Sequence, residues 1–359
     1  MIPLRICRVL GNLGGTMRKY ARAGLFLLAG LIGCLTLLKA TAQDTSRVGP
    51  EPGDRGTDED SVGYAMGLVI PSDIRDIAER QNAFASEMLD RAHARGYETP
   101  ASDVCHPDAP SFDWRTYGKV TSIKNQGHCG SCTAFATMAA YESNFLIRNG
   151  LNADSSEQHV LSCSGALDCR NGGFYMKIMN WMTQHRVASG AEVPYAGTDQ
   201  VCPANMQGTY GVLAAAFVDP AHERPAAADI KKALCDHGVL AVGMHVRAAF
   251  FKYPKDANGN SYPNDVFSDT TTQYVGNHAI AIVGWDDARQ AWLVRNSWGP
   301  GFGLNGYFWI GYDNPDFGLE PAWVEVVKTP LNGGPSGDAQ AIPETKELME
   351  KYRVLTPGD

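Results

Sequence analysis

A cysteine at the start of a helix is where chemistry is first sought in this chain. Cys132 lies in the run Gln126-Gly127-His128-Cys129-Gly130-Ser131-Cys132-Thr133-Ala134-Phe135, and the residues after it are helix-compatible as far as Asn149-Gly150. The unpaired N–H groups and the positive dipole end of a helix start favour a thiolate, which is the nucleophilic form. Two other chemistries compete for the same stretch. Cys129-Gly130-Ser131-Cys132 is formally a CxxC, which is a redox pair or half of a zinc site. No second CxxC follows at zinc spacing, and the approach from Trp114 to Lys124 does not read as the buried parallel strand of a thioredoxin-like frame. An inert structural cysteine is the third alternative.

A thiol nucleophile needs a base and a group that orients the base. His278 stands in Gly276-Asn277-His278-Ala279-Ile280, at the opening of an apolar strand. Asn296 stands in Arg295-Asn296-Ser297-Trp298-Gly299, at the end of a following strand that a short antiparallel connection would bring beside His278. Cys, His and Asn in that order, with those flanks, are far more specific than any one of them.

Across residues 111–326 these segments resemble the papain-like (cathepsin-like) cysteine peptidases, from Ser111-Phe112-Asp113-Trp114 through Ser156-Glu157-Gln158 to Asn296-Ser297-Trp298. The chain departs from that pattern at Thr133, where an aromatic residue is usual, and at Phe302, where Trp is common. The resemblance implies that Cys132 attacks a peptide carbonyl and His278 carries the proton. Asn296 would orient the imidazole, Trp298 would shield that bond, and Gln126 with the Cys132 backbone N–H would hold the oxyanion. It also implies that Gly172 and Gly173 hold substrate backbone while Phe174 and Tyr175 line the pocket for the second residue before the cut. The implied disulfides are Cys129–Cys169 and Cys163–Cys202. Cys105 and Cys235 are left over, and the family's wrapping of the segment before the domain suggests that they pair.

The elements that must position these groups are of two kinds. Helical patterns follow Cys132, run from Phe174 to Gln184 and from Ala227 to His237, and a short capped helix starts at Ser156. Strand patterns occupy Val239–Val246, His278–Trp285, Ala291–Arg295 and Tyr307–Tyr312. The expected fold is α+β in two lobes, one mainly helical and one an antiparallel, barrel-like sheet, with the site in the cleft between them. Gly301-Phe302-Gly303-Leu304-Asn305-Gly306 is a formal GxGxxG, but it precedes a strand and not a helix, so a dinucleotide site is rejected.

The remainder of the chain suggests export. Arg18, Lys19 and Arg22 precede an apolar run from Ala23 to Leu38 and an Ala40-Thr41-Ala42 cleavage signal, so residues 1–42 read as a signal peptide. Leu31-Ile32-Gly33-Cys34 offers a lipoprotein signal as the minority reading. Residues 1–42 hold six of the 31 basic residues and no acid, which leaves 25 basic against 39 acidic, a net charge of −14. That balance excludes nucleic acid and anionic membranes as natural partners. Residues 43–104 read as a polar linker and a short pro-segment with one amphipathic helix capped by Ser72, 105–328 as the peptidase domain, and 329–359 as a tail with a short helix near Pro343–Lys351. The functional expectation is a secreted, monomeric cysteine endopeptidase that acts on protein or peptide substrates without cofactor or metal. A catalytically inactive binding protein on the same fold is the alternative.

Overall fold

The computed structural model describes residues 65–98, 102–206, 208–256, 258–326 and 343–359. The expected signal peptide, the expected linker and the start of the expected tail lie outside the described residues. An extended segment, 65–70, leads into helix α1 (Ile74–Ala94). Asp73, not Ser72, occupies its N-cap position, and no side chain caps it. After α1 come β1 (Ser111–Asp113), the long helix α2 (Cys132–Asn149), α3 (Glu157–Cys163), the two-residue strands β2 (Leu167–Asp168) and β3 (Gly172–Gly173), and α4 (Tyr175–Met182). The chain then gives β4 (Val212–Phe217), α5 (Ala227–His237), β5 (Leu240–Arg247), β6 (Val266–Phe267), β7 (Tyr274–Asp286), β8 (Ala291–Arg295), β9 (Tyr307–Gly311), β10 (Phe317–Val326) and α6 (Thr345–Tyr352).

Local chemistry explains the ends of the elements that matter most. α2 begins at Cys132 directly after the Gly130-Ser131 turn. It stops at Gly150, whose left-handed φ of 67° an L side chain rarely adopts and whose N–H returns to the Leu146 carbonyl. α3 is capped by Ser156, whose Oγ accepts the His159 N–H at 2.9 Å.

One sheet runs β4-β10-β5-β7-β8-β9-β6, with β1 paired to the far end of β7. All pairings are antiparallel except β6 with β9. The sequence pattern does not reveal β10, β4 or the first four residues of β7, so His278 lies inside a thirteen-residue strand and does not head it. From His278 to Trp285 that strand is buried on both faces, so it reads as a continuous apolar run and not as an alternating one. The helical lobe is built on α2, which is buried along nearly its whole length and touches β7, β10 and α4. A second, smaller core joins α1, β4 and α6, where Phe84, Ala85, Met88 and Ala92 meet Leu213, Ala214, Ala216, Leu348, Met349 and Val354.

Candidate active site

The helix start places Cys132 as the first residue of α2, the only free cysteine among the described residues. The other six form Cys105–Cys235, Cys129–Cys169 and Cys163–Cys202. Cys129–Cys169 anchors the turn before α2 to the glycine loop, and Gly130 N–H adds a 2.9 Å bond to the Cys169 carbonyl. The nucleophile turn and the β3 loop therefore move as one piece. His159 lies beside Cys163 and Cys202, but those sulfurs are bonded to each other and its Nδ1 accepts the Ala188 N–H, so the cluster offers no metal-binding thiolate.

Strand pairing brings an imidazole to the thiol. Ala279 N–H lies 3.4 Å from Cys132 Sγ, which puts the neighbouring His278 at the start of α2. β8 pairs Arg295 with Ala281, so Asn296, the next residue, returns alongside His278. His278 Nε2 and Asn296 Oδ1 are 2.8 Å apart. The same Oδ1 accepts the Ser297 backbone N–H at 2.8 Å, which identifies it as the acceptor atom. Nε2 is therefore the protonated nitrogen, and Nδ1 is left as the basic one. Nδ1 is buried and makes no hydrogen bond. Trp298 stacks on the imidazole at 4.8 Å and 26°, and closes the His278–Asn296 bond off from water.

Gln126 is held by the opposite lobe. Its backbone N–H bonds Ser297 O at 2.8 Å, and its side-chain Oε1 accepts Ser297 Oγ at 2.6 Å. With Oε1 so engaged, Nε2 points the other way, to the carbonyls of Ala65 (2.8 Å) and Cys129 (3.0 Å). Thr133, at the position where the family carries an aromatic residue, is fully buried and its hydroxyl has no partner.

The cleft is covered by the chain's own residues 65–69. Gly173 N–H donates to Gly67 O at 2.7 Å, Val69 N–H donates to Gly173 O at 2.8 Å, and Leu68 N–H donates to Asn277 O at 3.2 Å. Leu68 pairs with Gly173 in the parallel sense. The Gly67 backbone N–H is among the groups that pull the Cys132 pKa down. Glycine is required on both sides of the contact between this segment and the cleft. A Cβ on Gly67 would meet Gly130 O at 1.8 Å, and one on Gly172 would meet Gly67 O at 2.0 Å. The buried Leu68 side chain lies against Gly243 and Leu319. The sequence offers the amphipathic helix either as an N-terminal decoration or as a pro-segment over the cleft, and leaves that choice open. That helix lies on β4 and α6, and the blocking residues are the extended ones before it. Their signal in the sequence is only a Gly between apolar residues.

Phe174 and Tyr175 are fully buried: Phe174 against Tyr175 and Phe217, and Tyr175 with its hydroxyl donating to the backbone carbonyls of Leu319 and Glu320. The groups that sequence reasoning misses are Gly243 and Leu319, which are far apart in sequence and adjacent only through the β5–β10 pairing. Burial pushes the Cys132 thiol up to about 11, against the pull of the surrounding N–H groups. Burial also pushes His278 down to about 4, partly offset by Asn296. In the covered cleft burial thus works against the thiolate that the helix start alone would favour.

The chain has known relatives. Residues 109–325 match the family model of papain family cysteine proteases. Cysteine proteinase 2 of Entamoeba histolytica is 34% identical over 208 residues, 55% of this chain and 62% of that protein. Ananain of Ananas comosus is 35% identical over 234 residues, 63% of each. The chain thus spans less than two thirds of the length of these curated relatives. Among solved structures, the bromelain protease of Ananas comosus in complex with the E64 inhibitor superposes with a TM-score of 0.51 at 29% identity, over 60% of this chain and 99% of that one. Digestive procathepsin L2 proteinase from the larval midgut of Tenebrio molitor gives 0.54 at 26% identity, over 73% and 78%. The two-lobed α+β architecture is theirs, and the chain belongs to the papain family of cysteine proteases.

Proposed function

We propose that the chain is an exported cysteine endopeptidase held in a covered form by residues 65–69. The observation that carries this reading is the free Cys132 at a helix start, beside a histidine whose tautomer Asn296 sets and whose basic nitrogen is unengaged. Once the cleft is open, Cys132 Sγ passes its proton to His278 Nδ1 and attacks the scissile carbonyl carbon. The negative oxygen is met by Gln126 Nε2 and the Cys132 N–H, donors aimed in advance by Ser297 and by the helix. The C–N bond breaks as His278 returns the proton to the leaving amine, and water then hydrolyses the thioester. Gly173 pairs with substrate backbone as it now pairs with Gly67 and Val69. The recess between Gly243 and Leu319 takes an apolar side chain, as it takes Leu68.

Three disulfides favour an oxidising compartment, in line with a signal peptide at residues 1–42. No helix among the described residues is long and apolar enough to cross a membrane. The test is labelling with an epoxysuccinyl inhibitor at pH 6, before and after removal of the covering segment, with Cys132→Ala as control and the adduct located by mass spectrometry. An adduct on Cys132 that appears on uncovering is expected. A folded, uncovered protein that takes no adduct would instead be a binding protein on a peptidase fold.

A further inference from the structure

The segment before the peptidase domain contains two parts with opposite properties. Residues 65–69 make a few backbone bonds in the cleft, bury Gly67 and Leu68 and half-bury Met66; Val69 is 51% exposed. α1 is different. It buries Ile77, Ala78, Gln81, Phe84, Ala85, Met88 and Ala92, most of one face of the helix. It also completes the sheet. β4 is an edge strand, and all six of its residues are buried. Gln81 Nε2 donates to Ala215 O at 2.8 Å, and Asn82 both donates to Phe217 O (2.9 Å) and accepts from Phe217 N (3.0 Å). The open edge of an apolar strand is thereby satisfied by side chains of α1. Gln81 further exchanges two amide bonds with the buried Asn180 of α4, and Arg75 forms an ion pair with the buried Glu320 of β10. Without α1, these groups would be buried and unpaired, or β4 would face water. Downstream, Cys105–Cys235 and the bond from Ser102 N–H to Cys235 O fix the following chain to α5.

We propose that activation divides this segment: the peptide bond broken lies in the turn Pro71-Ser72-Asp73, and α1 stays as a permanent part of the active molecule. The turn joins the last cleft bond, at Val69, to the first helical bond, Ile77 N–H to Asp73 O, and Ser72 and Asp73 are exposed. Hydrolysis there consumes one water, frees a carboxylate on the cleft segment and an amine ahead of α1, and leaves residues 65–69 held only by their few contacts. This rests on the covered-form reading above, and it adds which part is removable and where the cut falls.

The test uses two versions of the full chain. One carries a site-specific peptidase recognition sequence in place of Pro71–Asp73, and the other carries it inserted after Glu98. Cutting the first is expected to release the upstream fragment and to raise epoxysuccinyl labelling of Cys132 by about tenfold or more, because a tethered competitor becomes a dilute one. Cutting the second severs α1 from the domain, yet the α1 fragment is expected to co-elute on gel filtration and labelling is expected to stay low. Loss of that fragment with precipitation of the remainder also supports a permanent α1. The proposal is overturned if the fragment dissociates and leaves a soluble, labelled domain with an unchanged melting temperature. If the uncut chain labels as fast as the cut one, the covered-form reading fails, and co-elution of the α1 fragment still decides the role of α1.

Discussion

Gly67→Ala should open the cleft without any cut. The added Cβ would lie 1.8 Å from Gly130 O and 2.5 Å from its carbonyl carbon. That wall cannot yield easily, because Gly130 is bonded to Cys169 O and follows Cys129, whose disulfide ties it to the same residue. The covering segment must move instead. Its displacement breaks the 2.7 Å bond from Gly173 to Gly67 O and strains the 2.8 Å bond from Val69 to Gly173 O. Overpacking of this kind typically costs about 1–3 kcal/mol, which shifts a two-state equilibrium by about 5- to 150-fold. The assay is the rate of epoxysuccinyl labelling of Cys132 in the intact chain, with Val69→Ala as a control at an exposed position of the same segment. Labelling should rise within that range, and because the displaced segment carries Leu68 of the main core, the melting temperature should fall by roughly a few degrees. A Gly67→Ala chain that labels at the parent's rate and melts where the parent melts would refute the placement of this segment over the nucleophile.

Three further outcomes follow from the site and its supports. In the cut protein, Gln126→Glu keeps the shape and the acceptor for Ser297 Oγ but removes the donor facing the oxyanion, so kcat on a peptide substrate should fall by about 10²–10³. In the covered chain the Cys132 thiol sits near 11 and His278 near 4, so both are neutral between pH 6 and pH 9. Iodoacetamide alkylation should then climb by about tenfold per pH unit as the thiolate fraction grows, whereas the cut protein should react readily at pH 6 with a much flatter profile. Phe84→Ala removes the central side chain of the α1–β4–α6 core and should lower stability by about 3–5 kcal/mol in denaturant titrations, an effect that a disposable pro-helix would not have on the active enzyme.

The candidate site is legible in residue types and their order alone. Cys132 after a glycine turn, a histidine on an apolar strand and an asparagine beside Trp298 are local features, and each depends on groups within a few residues. The period of the apolar residues is enough to locate α1, α2, α5 and most of β5, β7, β8 and β9. It fails at β4 and β10, because the first is a run of small apolar residues and the second carries Gly318, Pro321 and two glutamates. Both are strands because of what covers them, and no local pattern records that.

Only the tertiary structure decided what occupies the cleft. Residues 65–69 carry no strong propensity, and their conformation comes from backbone bonds to Gly173 and Asn277, which are distant in sequence. The same holds for the pocket wall of Gly243 and Leu319, for the burial that shifts the thiol up and the imidazole down, and for the docking of α1 on a sheet edge. The physical reason is common to all four. A nucleophile's identity and its helix start depend on neighbours in the chain. Its accessibility, its charge and the partner of an amphipathic helix depend on which distant surfaces exclude water together.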